Sequence, residues 1–136
     1  FGYTIGNDIV GWTDSFHEKE NEPKDQKEPL LGPGLKIGDR FAPFGPFIYT
    51  NIDWKNKGRK IRITDIYGNE KVNASNNTSN LVYSPAKIVS DLSKVLTLSS
   101  GDIVFTGTDK SYVVLDGDSV SISIEGLGTL TNTIKK

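Results

Sequence analysis

Gly117-Asp118-Ser119-Val120-Ser121-Ile122-Ser123-Ile124-Glu125-Gly126-Leu127-Gly128-Thr129-Leu130-Thr131-Asn132-Thr133-Ile134 decides the fold class. Val120, Ile122 and Ile124 alternate with Ser121 and Ser123, so one face of an extended strand is apolar and the other polar. That alternation predicts a half-buried β-strand. Gly126-Leu127-Gly128 then predicts a reversal into a second strand over Thr129 to Ile134. A Gly-Asp pair precedes the first strand, and the same pair recurs as Gly38-Asp39 and as Gly101-Asp102 before Ile103-Val104-Phe105. Each predicts a tight turn feeding a strand.

Working outward, Arg59 to Ala74 predicts a hairpin, with Ile61, Ile63 and Ile66 before a turn at Tyr67-Gly68-Asn69-Glu70. Asn73 to Asn80 is expected as a polar loop, and Phe47 to Thr50 as a strand. Phe1 to Trp12 predicts a strand ending near Asn7-Asp8 and apolar on both faces, which is the pattern of a central buried strand. The one helix starts at Ser84 as N-cap with Pro85 in its first turn. Its stripe of Ile88, Val89, Leu92, Val95 and Leu96 is expected to be core packing. The class is therefore α+β, mainly β with one clear helix.

Composition limits the function. The chain has 136 residues, enough for one domain burying roughly two thirds of its unfolded surface. Lys and Arg number 16 against 17 Asp and Glu, and no basic stripe interleaved with aromatics occurs, so a nucleic-acid partner is not expected. No apolar run approaches the roughly 20 residues that cross a bilayer, and the expectation is a cytoplasmic protein with no membrane partner. Zero cysteines remove disulfides, thiol nucleophiles and zinc–thiolate sites. Without a Cys/His cluster, any metal would be held by carboxylate oxygens, which favours Mg²⁺, Mn²⁺ or Ca²⁺. The chain opens on Phe1 within a strand-like run and contains no methionine, so it is expected to be a fragment or the C-terminal product of a cleavage.

Several segments carry candidate chemistry. Lys36 precedes Phe41-Ala42-Pro43-Phe44-Gly45-Pro46, a loop stiffened by Pro and Gly of the kind that positions binding groups. Asp8 follows a strand and reads either as an Asx turn or helix cap or as a metal ligand. Residues at about 17–34 are charged and contain Pro, the composition of a mobile loop or lid, with His17 at its edge as a solvated histidine or a general base. Thr106-Gly107-Thr108 ends a run expected as a buried strand, and it could offer N–H groups and a hydroxyl to an anion or simply turn the chain.

Taken in order, these segments resemble the C-terminal half of the fumarylacetoacetate hydrolase family. The resemblance is carried by Gly2-Tyr3-Thr4 with Asn7-Asp8, by Lys36 with the Phe41–Pro46 loop, and by Asn77-Thr78-Ser79-Asn80 leading to Ser84-Pro85. Gly101-Asp102-Ile103-Val104-Phe105-Thr106-Gly107-Thr108 and Ile124-Glu125-Gly126-Leu127-Gly128-Thr129-Leu130 complete it. The resemblance implies a mixed β-roll and a divalent metal, usually Mg²⁺. It also implies a small-molecule carboxylate substrate, either a 2-oxo acid or an acylpyruvate-like β-dicarbonyl. Asp8 matches a metal ligand, Lys36 the lysine that stabilises an enolate or oxyanion, and Thr108 a residue holding the substrate's carboxylate end, with Gly107 beside it. Trp12 stands at a substrate-contacting position where hydrolytic members commonly carry arginine, and Asp109 stands where they have proline.

The family's other metal ligands, a Glu-x-Glu pair, lie upstream of the matching aspartate. The chain is thus expected to be the C-terminal portion of a single catalytic domain, partnered by its N-terminal portion and, as is usual in the family, forming a homodimer. The expected reaction is C–C bond hydrolysis through a metal-stabilised enolate. The alternatives are a lyase or isomerase of the same family (decarboxylase, dehydratase or tautomerase), or a non-catalytic β-rich binding module.

Overall fold

The computed structural model describes residues 1–10, 36 and 38–135. The charged segment at about 17–34, with His17 and Trp12, lies outside them. The chain divides into two compact units, one of Phe1–Gly6 with Phe44–Lys136 and one of Asn7–Pro43.

The larger unit holds six strands and one α-helix among the described residues, so the mainly β class expected from the sequence is what they form. The strands are β1 (Tyr3–Gly6), β2 (Phe44–Tyr49), β3 (Gly58–Thr64), β4 (Glu70–Asn77), β5 (Ser119–Ile124) and β6 (Gly128–Thr133), and the helix is α1 (Pro85–Leu92). Strands β1 and β2 pair with each other, and the rest form a sheet in the order β4-β3-β5-β6. Every one of these pairings is antiparallel.

The Ser/Ile alternation of β5 has the predicted consequence. Ile61 lies opposite Ile122 and Ile63 opposite Val120 across the β3–β5 ladder, and all four are buried. They form the core with Ile5 from β1 and with Leu127. On the other face Ser121 meets Thr131 at 2.9 Å and Ser123 meets Thr129 at 2.8 Å, hydroxyl to hydroxyl. Such cross-strand pairs contribute roughly 0.2–1 kcal/mol each and help to fix the register. The glycine-flanked turn reverses the chain as expected. Its Leu127 points inward, which strand alternation alone does not indicate.

Asp118 of the Gly-Asp turn before β5 is 2% exposed. It accepts from the Leu115 N–H at 2.8 Å and from the Lys71 ammonium. The Lys71 hydrogen bond, followed by the Leu115 N–H, holds its carboxyl below the usual carboxylate range. A turn aspartate is thus also a buried ion-pair member. Nothing in its neighbourhood in the sequence signals Lys71, which is 47 residues away.

Other expectations are corrected. β1 is not a central strand: it pairs only with β2 among the described residues, and Phe1 is exposed. Asn73 to Asn77 belong to β4 rather than to a loop. Their backbones pair with Gly58 to Arg62, while Val72 and Ala74 turn toward the core side, so ladder pairing overrides the weak strand preference of asparagine. Ile66 lies in the Asp65–Asn69 turn and is exposed. Helix α1 begins as expected, with Ser84 Oγ accepting from the Lys87 N–H at 3.2 Å. It ends at Leu92, which leaves Val95 and Leu96 exposed beyond it, and Ile88, Val89 and Leu92 are only half-buried. Ile103 to Phe105 form no strand, because no described segment supplies them with a ladder. Among the described residues no helix is long and apolar enough to cross a membrane.

Candidate functional site

In the smaller unit, the stretches around Asp8 and Lys36 are tied together through the backbone. The Asn7 N–H donates to Pro43 O at 2.9 Å and the Ile9 N–H to Phe41 O at 3.0 Å, so Asp8 is held between two backbone hydrogen bonds to the 41–43 stretch. The Gly38-Asp39 turn closes with the Phe41 N–H on Gly38 O at 3.2 Å. A Cβ on Gly38 would stand 2.9 Å from the Phe41 ring, so only glycine lets that ring lie over the turn. The chain thereby returns to place Lys36 Nζ 2.6 Å from Asp8 Oδ2, across 28 residues of sequence. The two side chains are 55% and 42% exposed. An ammonium has three donors, and Asp8 takes one of them.

The structure therefore brings together two of the residues singled out from the sequence. One carboxylate does not make an Mg²⁺ site, since that ion requires near-octahedral oxygen coordination. Among the described residues, no group of three or more His, Cys, Asp or Glu could hold a metal ion. Asp8 has the donor chemistry for one ligand of such an ion, and the described residues do not complete the set.

Thr108 and Gly107 belong to the larger unit and sit on an exposed loop, not at the end of a buried strand. Gly107 has φ +86°, a left-handed conformation in which a side chain would be strained. The Arg59 guanidinium donates to Thr108 Oγ1 at 3.2 Å and also to Asp109 Oδ1. Asn76 donates to the other Asp109 oxygen at 2.6 Å. Partial burial raises the Asp109 carboxyl, but hydrogen bonds from Arg59, from its own backbone N–H and from Asn76 outweigh this and hold it below its ordinary value. Sequence reasoning missed Arg59 and Asn76 altogether. The only signal was Asp109, standing where the family pattern has proline.

Asn77-Thr78-Ser79-Asn80 proves structural. Asn77 Oδ1 caps a single 3₁₀ turn by accepting from the Ser79 N–H at 2.8 Å. Thr78 Oγ1 donates to Trp54 O at 2.7 Å and accepts from the Lys57 N–H at 2.8 Å, which fastens the loop before β3.

The family model described as fumarylacetoacetate (FAA) hydrolase C-terminal matches residues 1–135. The chain belongs to the fumarylacetoacetate hydrolase family. Among the family's curated members, the probable 2-keto-3-deoxyxylonate dehydratase of Haloferax volcanii is 31% identical, over 98% of this chain and 45% of its own length. The oxaloacetate tautomerase YisK of Bacillus subtilis is 30% identical, over 98% and 43%. The crystal structure of 5-carboxymethyl-2-hydroxymuconate delta-isomerase from Mycobacterium smegmatis superimposes with a TM-score of 0.70 at 33% identity, covering 98% of this chain and 48% of that one. The chain spans about half the length of the curated relatives it matches.

Proposed function

We propose that this chain is the C-terminal portion of a single catalytic domain in an enzyme that forms an enolate from a 2-oxo acid or acylpyruvate-like substrate. The observation that carries the reading is the Lys36–Asp8 pair: an ammonium held at 2.6 Å by a carboxylate, with both groups about half exposed. Loss of a proton, or of a carboxyl or acyl carbon that leaves its bonding electrons behind, next to a carbonyl moves negative charge onto the carbonyl oxygen. A fixed ammonium beside that oxygen stabilises the charge as it develops. Asp8 orients Lys36, and Lys36 keeps donors for the substrate oxygen.

A divalent ion, Mg²⁺ or alternatively Mn²⁺ or Ca²⁺, would add further positive charge, with Asp8 as this chain's ligand and the remaining ligands contributed from upstream. Thr108 and Gly107 are proposed to bind the carboxylate of the small-molecule substrate, with Trp12 as a further contact, and the assembled enzyme is proposed to be a homodimer.

Relatives named as a dehydratase, a tautomerase and an isomerase favour one of those outcomes over C–C hydrolysis, and an enolate-stabilising site can serve each of them without an activated water. The test is a panel of 2-oxo acids, oxaloacetate included, presented to the full-length protein with and without added Mg²⁺, with products identified by NMR. Interconversion of keto and enol forms without loss of carbon gives a tautomerase, and loss of water a dehydratase. Two carbon fragments give hydrolysis or another C–C cleavage. Turnover of no member of the panel overturns the reading.

A further inference from the structure

Arg59 and Asn76 are direct register partners in the β3–β4 ladder. Arg59 shares the strand parity of the core residues Ile61 and Ile63, and its side chain is only 18% exposed. From these neighbouring backbone positions both side chains reach the same carboxylate: the Arg59 guanidinium meets Asp109 Oδ1, and Asn76 Nδ2 meets Oδ2 at 2.6 Å. Asn76 is itself fixed, since its Oδ1 accepts from Asn80 Nδ2 at 2.6 Å and from the Asn77 N–H at 2.7 Å. The second nitrogen of the Arg59 fork donates to Thr108 Oγ1.

We infer that Arg59 and Asn76 are positioning residues which, by gripping Asp109, hold the 106–108 loop so that Thr108 and Gly107 can receive a substrate carboxylate. The inference rests on the reading of Thr108 as a substrate-binding residue. Arg59 spans two acceptors and is charge-balanced by Asp109, so it serves the loop and not the substrate directly. Its N–H also occupies a lone pair of Thr108 Oγ1, leaving that hydroxyl its proton to donate. The hydroxyl now lies 3.2 Å from Lys110 O and 3.3 Å from Asp109 Oδ1, acceptors that a bound carboxylate would replace. The glycine at φ +86° and the hold of Arg59 and Asn76 on Asp109 give this loop a set conformation although its surface is exposed. The planar guanidinium fork suits this two-acceptor task, and a lysine cannot span it.

The variants are Asp109→Asn, which keeps the shape, Arg59→Lys, which keeps the charge, and their double, all in the full-length protein. Each single variant should raise KM for the turned-over 2-oxo acid about 10-fold with kcat within about threefold of wild type, since binding geometry and not chemistry is disturbed. The double should be no worse than about twofold beyond the weaker single, because both act through one grip. Amide exchange over residues 106–110 should accelerate in both singles while the melting temperature confirms folding. An unchanged KM, multiplicative effects in the double, or wild-type exchange at 106–110 overturns the inference. If the wild type turns over no 2-oxo acid, the functional reading falls on its own, and the exchange rates at 106–110 still decide whether Arg59 and Asp109 hold the loop.

Discussion

Replacing Lys36 with alanine should separate stability from activity. Lys36 and Asp8 are 55% and 42% exposed, so water screens their attraction and both side chains give up rotamer freedom to meet. An ion pair this open is worth at most about 1 kcal/mol. The melting temperature of Lys36→Ala should therefore fall by no more than about 4 °C. The catalytic effect has a different size, because an enolate oxygen would lose a donor aimed at its developing charge. Removing one such donor lowers kcat by about 10²–10³-fold, or roughly 3–4 kcal/mol of transition-state stabilisation. Steady-state kinetics on the 2-oxo acid that the wild type turns over, paired with differential scanning calorimetry, reads both quantities. Full activity in Lys36→Ala removes the lysine from the chemistry. An activity loss matched by a collapse in melting temperature would make the Lys36–Asp8 pair a structural tie.

Two further predictions concern the fold. Ile63 is 1% exposed and lies opposite buried Val120 in the β3–β5 ladder, so Ile63→Ala should lower stability by about 2–5 kcal/mol in urea titration, while Val113→Ala at an exposed site should change it by less than about 0.5 kcal/mol. Equal effects would mean that the sheet core is not where the four buried isoleucines and Val120 place it. The Asp118 carboxyl is lowered from its ordinary 3.8 by the Lys71 hydrogen bond and then by the Leu115 N–H. A depressed folded-state value contributes stability that is present above the ordinary value and is lost as pH falls through the lowered one. Asp118→Asn should therefore be less stable than wild type at about pH 7, with the gap closing below about pH 4. Urea midpoints across that range check it, and a gap independent of pH clears Asp118 of the role.

Much of this was legible in the residues because the causes are local. Alternation of Ser and Ile along β5 depends only on the two-residue period of a strand, so the buried face could be read directly. Ser84 and Pro85 start α1 through contacts within one turn, and the start was read correctly. The end of α1 was not, because a stripe continuing through Val95 and Leu96 does not reveal that the chain turns after Leu92. The Asn-rich part of β4 was misread for a related reason: its strand character comes from the partner β3 and not from asparagine.

The candidate site divides the same way. Lys36, Asp8, Gly107 and Thr108 were marked by motif, since each lies in a short pattern whose residue types suit the chemistry. The absence of cysteine alone excluded thiol chemistry, and the strand periodicity of residues 117–134 alone gave away the mainly β class. What only the tertiary structure decided is pairing across distance. Lys36 meets Asp8 across 28 residues, Lys71 meets Asp118 across 47, and Arg59 meets Asp109 across 50. A charged side chain carries no local mark of its partner. That choice is made by backbone hydrogen bonds and strand register, which set distant carboxylates and cations within a few ångströms of each other.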